Sequence, residues 1–181
     1  MSAKPQLKDQ ELTQGYPSDA LVIQPGQDDP EGRQLRRTFG AFATGVTVVV
    51  VDTPDGPVGM TVNSFTSVSL SPALILWSVA TSSARCPAFT EASHFSVNVL
   101  ASDQQALALA FATEATPFER SSWFQGQFHS PVLSSCLANF ECRKHEVHAG
   151  GDHLIIVGEV LQASLSGGDP LIFSQGQFAS L

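Results

Sequence analysis

Cysteine is scarce in this chain, with three residues in 181. Cys86, Cys136 and Cys142 are odd in number and form no CxxC pair. That argues against a disulfide framework and against a zinc site, and leaves buried, reduced thiols as the plain reading. Basic residues are scarce too: nine Lys and Arg stand against seventeen Asp and Glu, for a formal net charge of −8. A general nucleic-acid binder needs a basic surface to displace counterions, so no nucleic-acid partner is expected. One pocket can still be locally positive. No apolar run approaches the roughly 20 residues that span a bilayer. Residues 1–10 are polar and lack the apolar core of a signal peptide. A cytoplasmic protein with no membrane partner is the expectation. Also missing are a P-loop and the patterns GxGxxG, GxSxG and HExxH. Any nicotinamide cofactor is therefore not held by a Rossmann unit. The five histidines show no metal-ligand spacing, so no metal is expected.

What is present points to one globular domain. Hydrophobic residues make up 43% and charged residues 14%, enough for a real core. Residues 1–28, rich in Gln, Asp, Pro and Gly, read as a flexible tail, and residues 29–181 as the folded domain. Asp29, Pro30 and Glu31 suggest a helix start, with Leu35, Phe39 and Phe42 forming its apolar face. From Val46 the period changes. Thr47 to Val51 is a β-branched, buried strand, and the turn at Pro54-Asp55-Gly56-Pro57 returns the chain through Val58 to Val62. Asn63 to Leu70 continues extended, Leu74 to Val79 is another buried strand, and Pro87 to Ala92 is a short helix. Phe95, Val97 and Val99 alternate with polar residues, as in a half-buried strand. A capping box at Ser102 to Gln105 opens a helix through Leu107, Ala110 and Phe111. Residues 113–130 look irregular. The last third is β again, with His148 to His153 as a connecting loop around Gly150-Gly151. Many strands with few short helices suggest a closed or partly closed barrel.

Three stretches can carry chemistry. The run Thr61 to Ser71 offers seven small polar side chains: Thr61, Asn63, Ser64, Thr66, Ser67, Ser69 and Ser71. Burying such groups unpaired costs roughly 1–3 kcal/mol each, so they must face water, the chain or a ligand. A phosphorylated ligand with a polar ring suits them, and an ordinary Ser/Thr-rich strand face is the plain alternative. Ser83, Ala84 and Arg85 place a hydroxyl and a cation before a short helix, a pattern that can hold an anion. His153 follows a glycine turn at the mouth of a strand and can donate to a carboxamide or phosphate. No nucleophile–base pair stands out. Composition and periodicity alone reach a β-rich soluble domain with a candidate anion site.

Several long motifs in register go further. The run Leu35 to Val49, with Thr44-Gly45-Val46-Thr47 inside it, resembles the opening of the short flavin reductases of two-component monooxygenases. So do Val58-Gly59-Met60-Thr61-Val62-Asn63-Ser64-Phe65-Thr66-Ser67-Val68-Ser69 and Phe95 to Leu100 with Asp103-Gln104. Gly151-Asp152-His153, Val157 to Val160 and Gly176-Gln177-Phe178 match in the same order. The resemblance covers about residues 33–180. It implies an FMN-binding split β-barrel of Greek-key type with a few short α-helices, usually a homodimer with flavin sites near the subunit interface. It also implies an NAD(P)H:flavin oxidoreductase that supplies reduced FAD or FMN to a separate monooxygenase component. Carried onto this chain, Thr47, Thr61, Val62, Asn63, Ser64, Phe65, Thr66, Ser67 and Ser69 would line the flavin. Ser83, Ala84 and Arg85 would hold its phosphate, while His153 and Phe178 would meet the nicotinamide. NADH is the favoured donor and NADPH the other candidate, since no arginine cluster marks a 2′-phosphate site. No catalytic side chain is required, because hydride moves between the cofactors. The chain departs from the family pattern at Cys86-Pro87 and in its closing segment, which lacks the common Tyr and Arg. The alternatives are a flavin-binding barrel without reductase activity, an oxidase with fixed flavin, and a carrier of an apolar ligand.

Overall fold

The computed structural model describes residues 15–179. Half of the expected tail, residues 1–14, lies outside them. The chain divides into two compact units, residues 1–42 and 43–181.

In the first unit, residues 15–32 form turns and bends ahead of helix α1 (Arg33–Phe39). Asp29 does cap this helix, but from a distance. Its carboxylate accepts the backbone N–H groups of Arg33 and Leu35 at 2.9 and 2.8 Å, while Gly32 takes the left-handed conformation at the N-cap. Pro30 thus lies ahead of the helix, not in its first turn. Phe39 and Phe42 are largely exposed, against the apolar face expected of them.

The second unit is mainly β. Its strands are β1 (Thr44–Gly45), β2 (Thr47–Val51), β3 (Val58–Val62), β4 (Thr66–Leu70), β5 (Ala73–Ala80) and β6 (His94–Val99). They continue with β7 (Trp123–Gln125), β8 (Pro131–Leu133), β9 (Ala138–Gly150), β10 (His153–Leu165), β11 (Ile172–Ser174) and β12 (Gln177–Ala179). Between them lie helices α2 (Cys86–Glu91) and α3 (Gln105–Thr113) and a 3₁₀ turn at Pro117–Arg120. Seven strands form one antiparallel sheet in the order β3-β2-β6-β9-β10-β5-β4. The edges β3 and β4 do not pair with each other, so the barrel stays split.

One apolar cluster shows how the sheet wraps. Val49, Met60, Trp77, Val79, Phe95 and Ile156 are buried together, although they come from both ends of the strand order. The other face of β2 packs Val48 and Val50, with Val46 just ahead of the strand, against Leu100, Ala108, Phe111 and Leu133. Strand β2 is thus covered on both faces, which is why its sequence is a continuous β-branched run with no polar alternation. Two glycines permit close approaches. A Cβ on Gly59 would fall 2.4 Å from the Phe111 ring of α3, and one on Gly158 would fall 2.4 Å from Phe95.

The β9–β10 hairpin is longer than the sequence suggests. His148 to Gly150 belong to the strand, and only Gly151 and Asp152 form the loop. Gly151 supplies the positive φ of this tight turn. Asn63 to Phe65 are a bend, and the extended run resumes on β4 beside β5. All three cysteines are free and buried. Burial pushes the Cys136 thiol up to about 11 and the Cys142 thiol up to about 12. Among the described residues no helix is long and apolar enough to cross a membrane.

Candidate functional site

The candidate residues fall along one strip that starts at the end of β3. Val46, Thr61, Val62, Asn63, Ala112, Phe173 and Phe178 line a slot of about 200 Å³. Phe173 and Phe178, paired across β11 and β12, meet edge-on with ring centroids 5.3 Å apart. The slot therefore has apolar walls, with Thr61 and Asn63 as its polar members. It joins Phe178 to the β3 residues, a union that the sequence offered only through the family resemblance. Val46, Ala112 and Phe173 were not anticipated. They are small or apolar residues whose role is visible only once α3 and the β11–β12 hairpin are folded beside β3.

Not every expected hydroxyl is free for a ligand. Thr47 is buried and its Oγ1 donates to the carbonyl of Val62 at 3.1 Å. The Oγ1 of Thr61 donates to the carbonyl of Ala108 at 2.7 Å, docking α3 on β3. Ser64 bridges to β5: its Oγ accepts from the Ser78 N–H at 2.9 Å and donates to the Ser78 carbonyl at 3.3 Å. The Ser69 hydroxyl accepts from the Ser71 N–H. Phe65 packs into the core, its ring 5.6 Å from that of Phe140. Thr66 is exposed and makes a long bond, 3.4 Å, to the neighbouring Ser67 carbonyl. Asn63 and Ser67 are exposed and their side chains make no hydrogen bond within the described structure. The exposed Ser71 hydroxyl is likewise without a partner, so these three keep full bonding capacity within the hydroxyl-rich run.

The strip continues past Ser78 to the end of β5. The N–H and hydroxyl of Thr81 both donate to the carbonyl of Asp152, at 2.9 and 3.0 Å. That bond pair ties the loop holding Ser83, Ala84 and Arg85 to the tip of the β9–β10 hairpin. His153 stands at that tip, opposite Ala80. Its Nδ1 lies 2.7 Å from Oδ1 of Asp152. This contact holds the Asp152 carboxyl below its usual range. With Nδ1 engaged, Nε2 is the ring nitrogen left to face a ligand. His153 does not line the slot that holds Phe178, so the two residues assigned to the nicotinamide sit on different parts of the strip. Ser83 is half-buried, and its Oγ accepts from the Arg85 N–H at 3.2 Å; Ala84 is exposed. The guanidinium of Arg85 reaches four backbone carbonyls: those of Gly59, Phe111 and Glu114 from Nη1 and that of Ala112 from Nη2.

A larger cleft, about 480 Å³, opens beside α3 and the 3₁₀ turn, lined by Gln104, Leu107, Arg120 and several serines. None of the sequence-derived site residues borders it.

The fold has close counterparts among known proteins. Residues 39–181 match the model of the flavin reductase like domain. The chain belongs to that family. FMN reductase (NADH) SmoA of Agrobacterium fabrum is 49% identical over 162 residues, covering 90% of this chain and 91% of the relative. An NADH-dependent FAD reductase of Streptomyces globisporus is 41% identical and covers 83% of this chain and 86% of its own length. The solved structure of the NADH:FAD oxidoreductase SgcE6 from that organism, in complex with NAD and FAD fragments, superposes with a TM-score of 0.82 at 39% identity. It covers 88% of this chain and 96% of that one.

Proposed function

We propose that this chain is an NADH-dependent flavin reductase that hands reduced FAD or FMN to a separate monooxygenase component. The observation that carries the reading is the slot between β3, α3 and the β11–β12 hairpin. Its apolar walls suit the faces of a flat heteroaromatic ring, and the free Asn63 amide beside them suits that ring's polar edge. At about 200 Å³ the slot is small for a whole dinucleotide, so most of such a ligand extends beyond it, along the exposed Thr66 and Ser67 of β4 and toward the Ser83–Ala84 loop. A bound flavin supplies the redox chemistry, accepting hydride from the nicotinamide. The protein's own contribution is positioning. Val62, Phe173 and Phe178 hold ring faces and exclude water, Asn63 and Ser67 donate or accept at polar edges, and His153 presents Nε2 toward the nicotinamide. No side chain needs to move a proton, because hydride passes directly between the two cofactors. NADH is the favoured donor, a reading supported by the NADH-dependent relatives of Agrobacterium fabrum and Streptomyces globisporus.

The functional unit is proposed to be a homodimer. The edge strand β4 is unprotected, with Leu70 at 96% exposure and Val68 at 50%, and such an edge invites a covering partner. The cytoplasm is the proposed compartment, in line with three free thiols.

The test is NADH oxidation followed at 340 nm with FAD and FMN added separately. Saturable oxidation that requires added flavin is expected, and the better flavin is thereby named. Flavin binding without oxidation would leave a binding protein in place of an enzyme. Turnover with no added flavin, by a protein that keeps its flavin through dialysis, would favour a fixed prosthetic group.

A further inference from the structure

We propose that Arg85 is a positioning residue for the slot and not a ligand of the flavin phosphate. The inference rests on the flavin reading above. Helix α3 ends at Thr113, and its last carbonyls have no partner within the helix. No basic residue lies in its last turn to answer the negative end of the helix dipole. Arg85 fills that role from 26 residues away. Its Nη1 donates to the Phe111 carbonyl at 2.7 Å and to the Glu114 carbonyl at 3.2 Å, and its Nη2 donates to the Ala112 carbonyl at 3.0 Å. The same Nη1 reaches the Gly59 carbonyl on β3 at 3.0 Å. One planar fork therefore fastens the end of α3 to β3 and both to the loop that follows β5.

This fastening sets a wall of the slot. Ala112 lines it on one side and Thr61, Val62 and Asn63 on the other. Their separation depends on how closely α3 approaches β3. Gly59 allows the approach by leaving room for the Phe111 ring, Thr61 bonds the Ala108 carbonyl, and Arg85 closes the far end. Burial lowers the Arg85 guanidinium from its ordinary value, yet an arginine stays charged at neutral pH. The charge is directed at carbonyl dipoles. Of the five guanidinium N–H donors, only Nε–H and one on Nη2 can remain for another acceptor.

The experiment titrates the full-length wild type, Arg85→Ala and Arg85→Lys with riboflavin and with FMN, read by flavin fluorescence and by the visible absorption band at saturation. A thermal melt of each variant runs alongside. Positioning predicts that Arg85→Ala weakens riboflavin and FMN by the same factor, about tenfold. It also predicts a bound-flavin band shifted from wild type even at saturation, which a loss of global stability alone would not cause. Arg85→Lys should fail to restore either affinity, because an ammonium is a point donor and cannot span the four carbonyls. If Arg85→Ala does not fold, Arg85→Lys decides: both flavins weakened supports positioning, and both unchanged overturns it. Loss of FMN affinity alone in Arg85→Ala, restored by lysine, would overturn the inference and return Arg85 to the phosphate. A wild-type chain that binds neither ligand overturns the flavin reading and this inference with it.

Discussion

Two polar stretches of this molecule have similar compositions and different fates. Ser96 and Asn98 on β6 are 0% exposed, and with Asn139 on β9 they form a closed network. Asn98 Nδ2 donates to the Val48 carbonyl and to Ser96 Oγ, and its Oδ1 accepts from the Leu133 N–H and from Asn139 Nδ2. Ser96 Oγ in turn donates to the Pro131 carbonyl. The amide of Asn98 thus has every strong bonding direction used. In the run Thr61 to Ser69, Thr61 and Ser64 are likewise consumed by the chain, whereas Asn63 and Ser67 are not. Polar residues that the fold needs are satisfied inside it. Polar residues with spare capacity, held beside an apolar slot, are the ones a ligand can use.

Breaking the closed network should have the largest effect. Asn98→Leu removes the side-chain acceptor of the Leu133 N–H, the acceptor of Asn139 Nδ2 and a second donor to the Val48 carbonyl, all in buried or half-buried surroundings. Each lost partner costs roughly 1–3 kcal/mol, so a destabilisation of about 3 kcal/mol or more is expected in urea unfolding. Flavin affinity per folded molecule should stay near wild type. A stability unchanged to within about 0.5 kcal/mol would mean that this network is not what separates the two stretches.

His153→Ala probes the far end of the strip and comes next. The KM for NADH is expected to rise up to about tenfold, roughly the loss of one hydrogen bond, with flavin affinity changed less than about twofold. Equal losses in both would put His153 with the flavin. Asp152→Asn sharpens the result. Its carboxylate orients the imidazole through Nδ1, so the variant should show a smaller rise in KM in the same direction.

How much of this was legible in the sequence depends on whether the signal was local. The continuous Val48 to Val51 run announced a strand buried on both faces, and the turn at Pro54 to Pro57 announced the β2–β3 hairpin; both are present. The hydroxyl-rich run marked the right neighbourhood of the slot through Thr61, Val62 and Asn63. What the sequence could not convey is which hydroxyl is already taken. The bond from Thr61 to the Ala108 carbonyl spans 47 residues, and the partners of Arg85 lie 26 to 29 residues away. Such pairings follow from packing, and no periodicity encodes them. Arg85 beside Ser83 suggests an anion site by spacing, and only the folded α3 shows that its guanidinium also reaches four carbonyls. Ala112 and Phe173 carry no chemical signature and line the slot only by position. The β9–β10 hairpin is longer than expected because Gly150-Gly151 reads as one loop, whereas only Gly151, at positive φ, lies in the two-residue turn.

The smallest expected effect gives the sharpest test of the comparison, because it predicts a change in binding with none in stability. Asn63 is exposed and has no side-chain partner, so Asn63→Ala removes nothing the fold uses, and unfolding free energy should move by less than about 0.5 kcal/mol. If Asn63 meets the polar edge of the ring, one neutral hydrogen bond is lost on binding. That is worth about 0.5–1.5 kcal/mol, or a two- to tenfold weaker affinity for both FMN and FAD. Thr61→Val is the matched control, two residues away on β3: its hydroxyl holds α3, so it should lower stability as well as affinity. If the two variants behave alike, spare bonding capacity does not identify ligand contacts here. A loss of affinity in Asn63→Ala with stability intact means that the free amide belongs to the ligand.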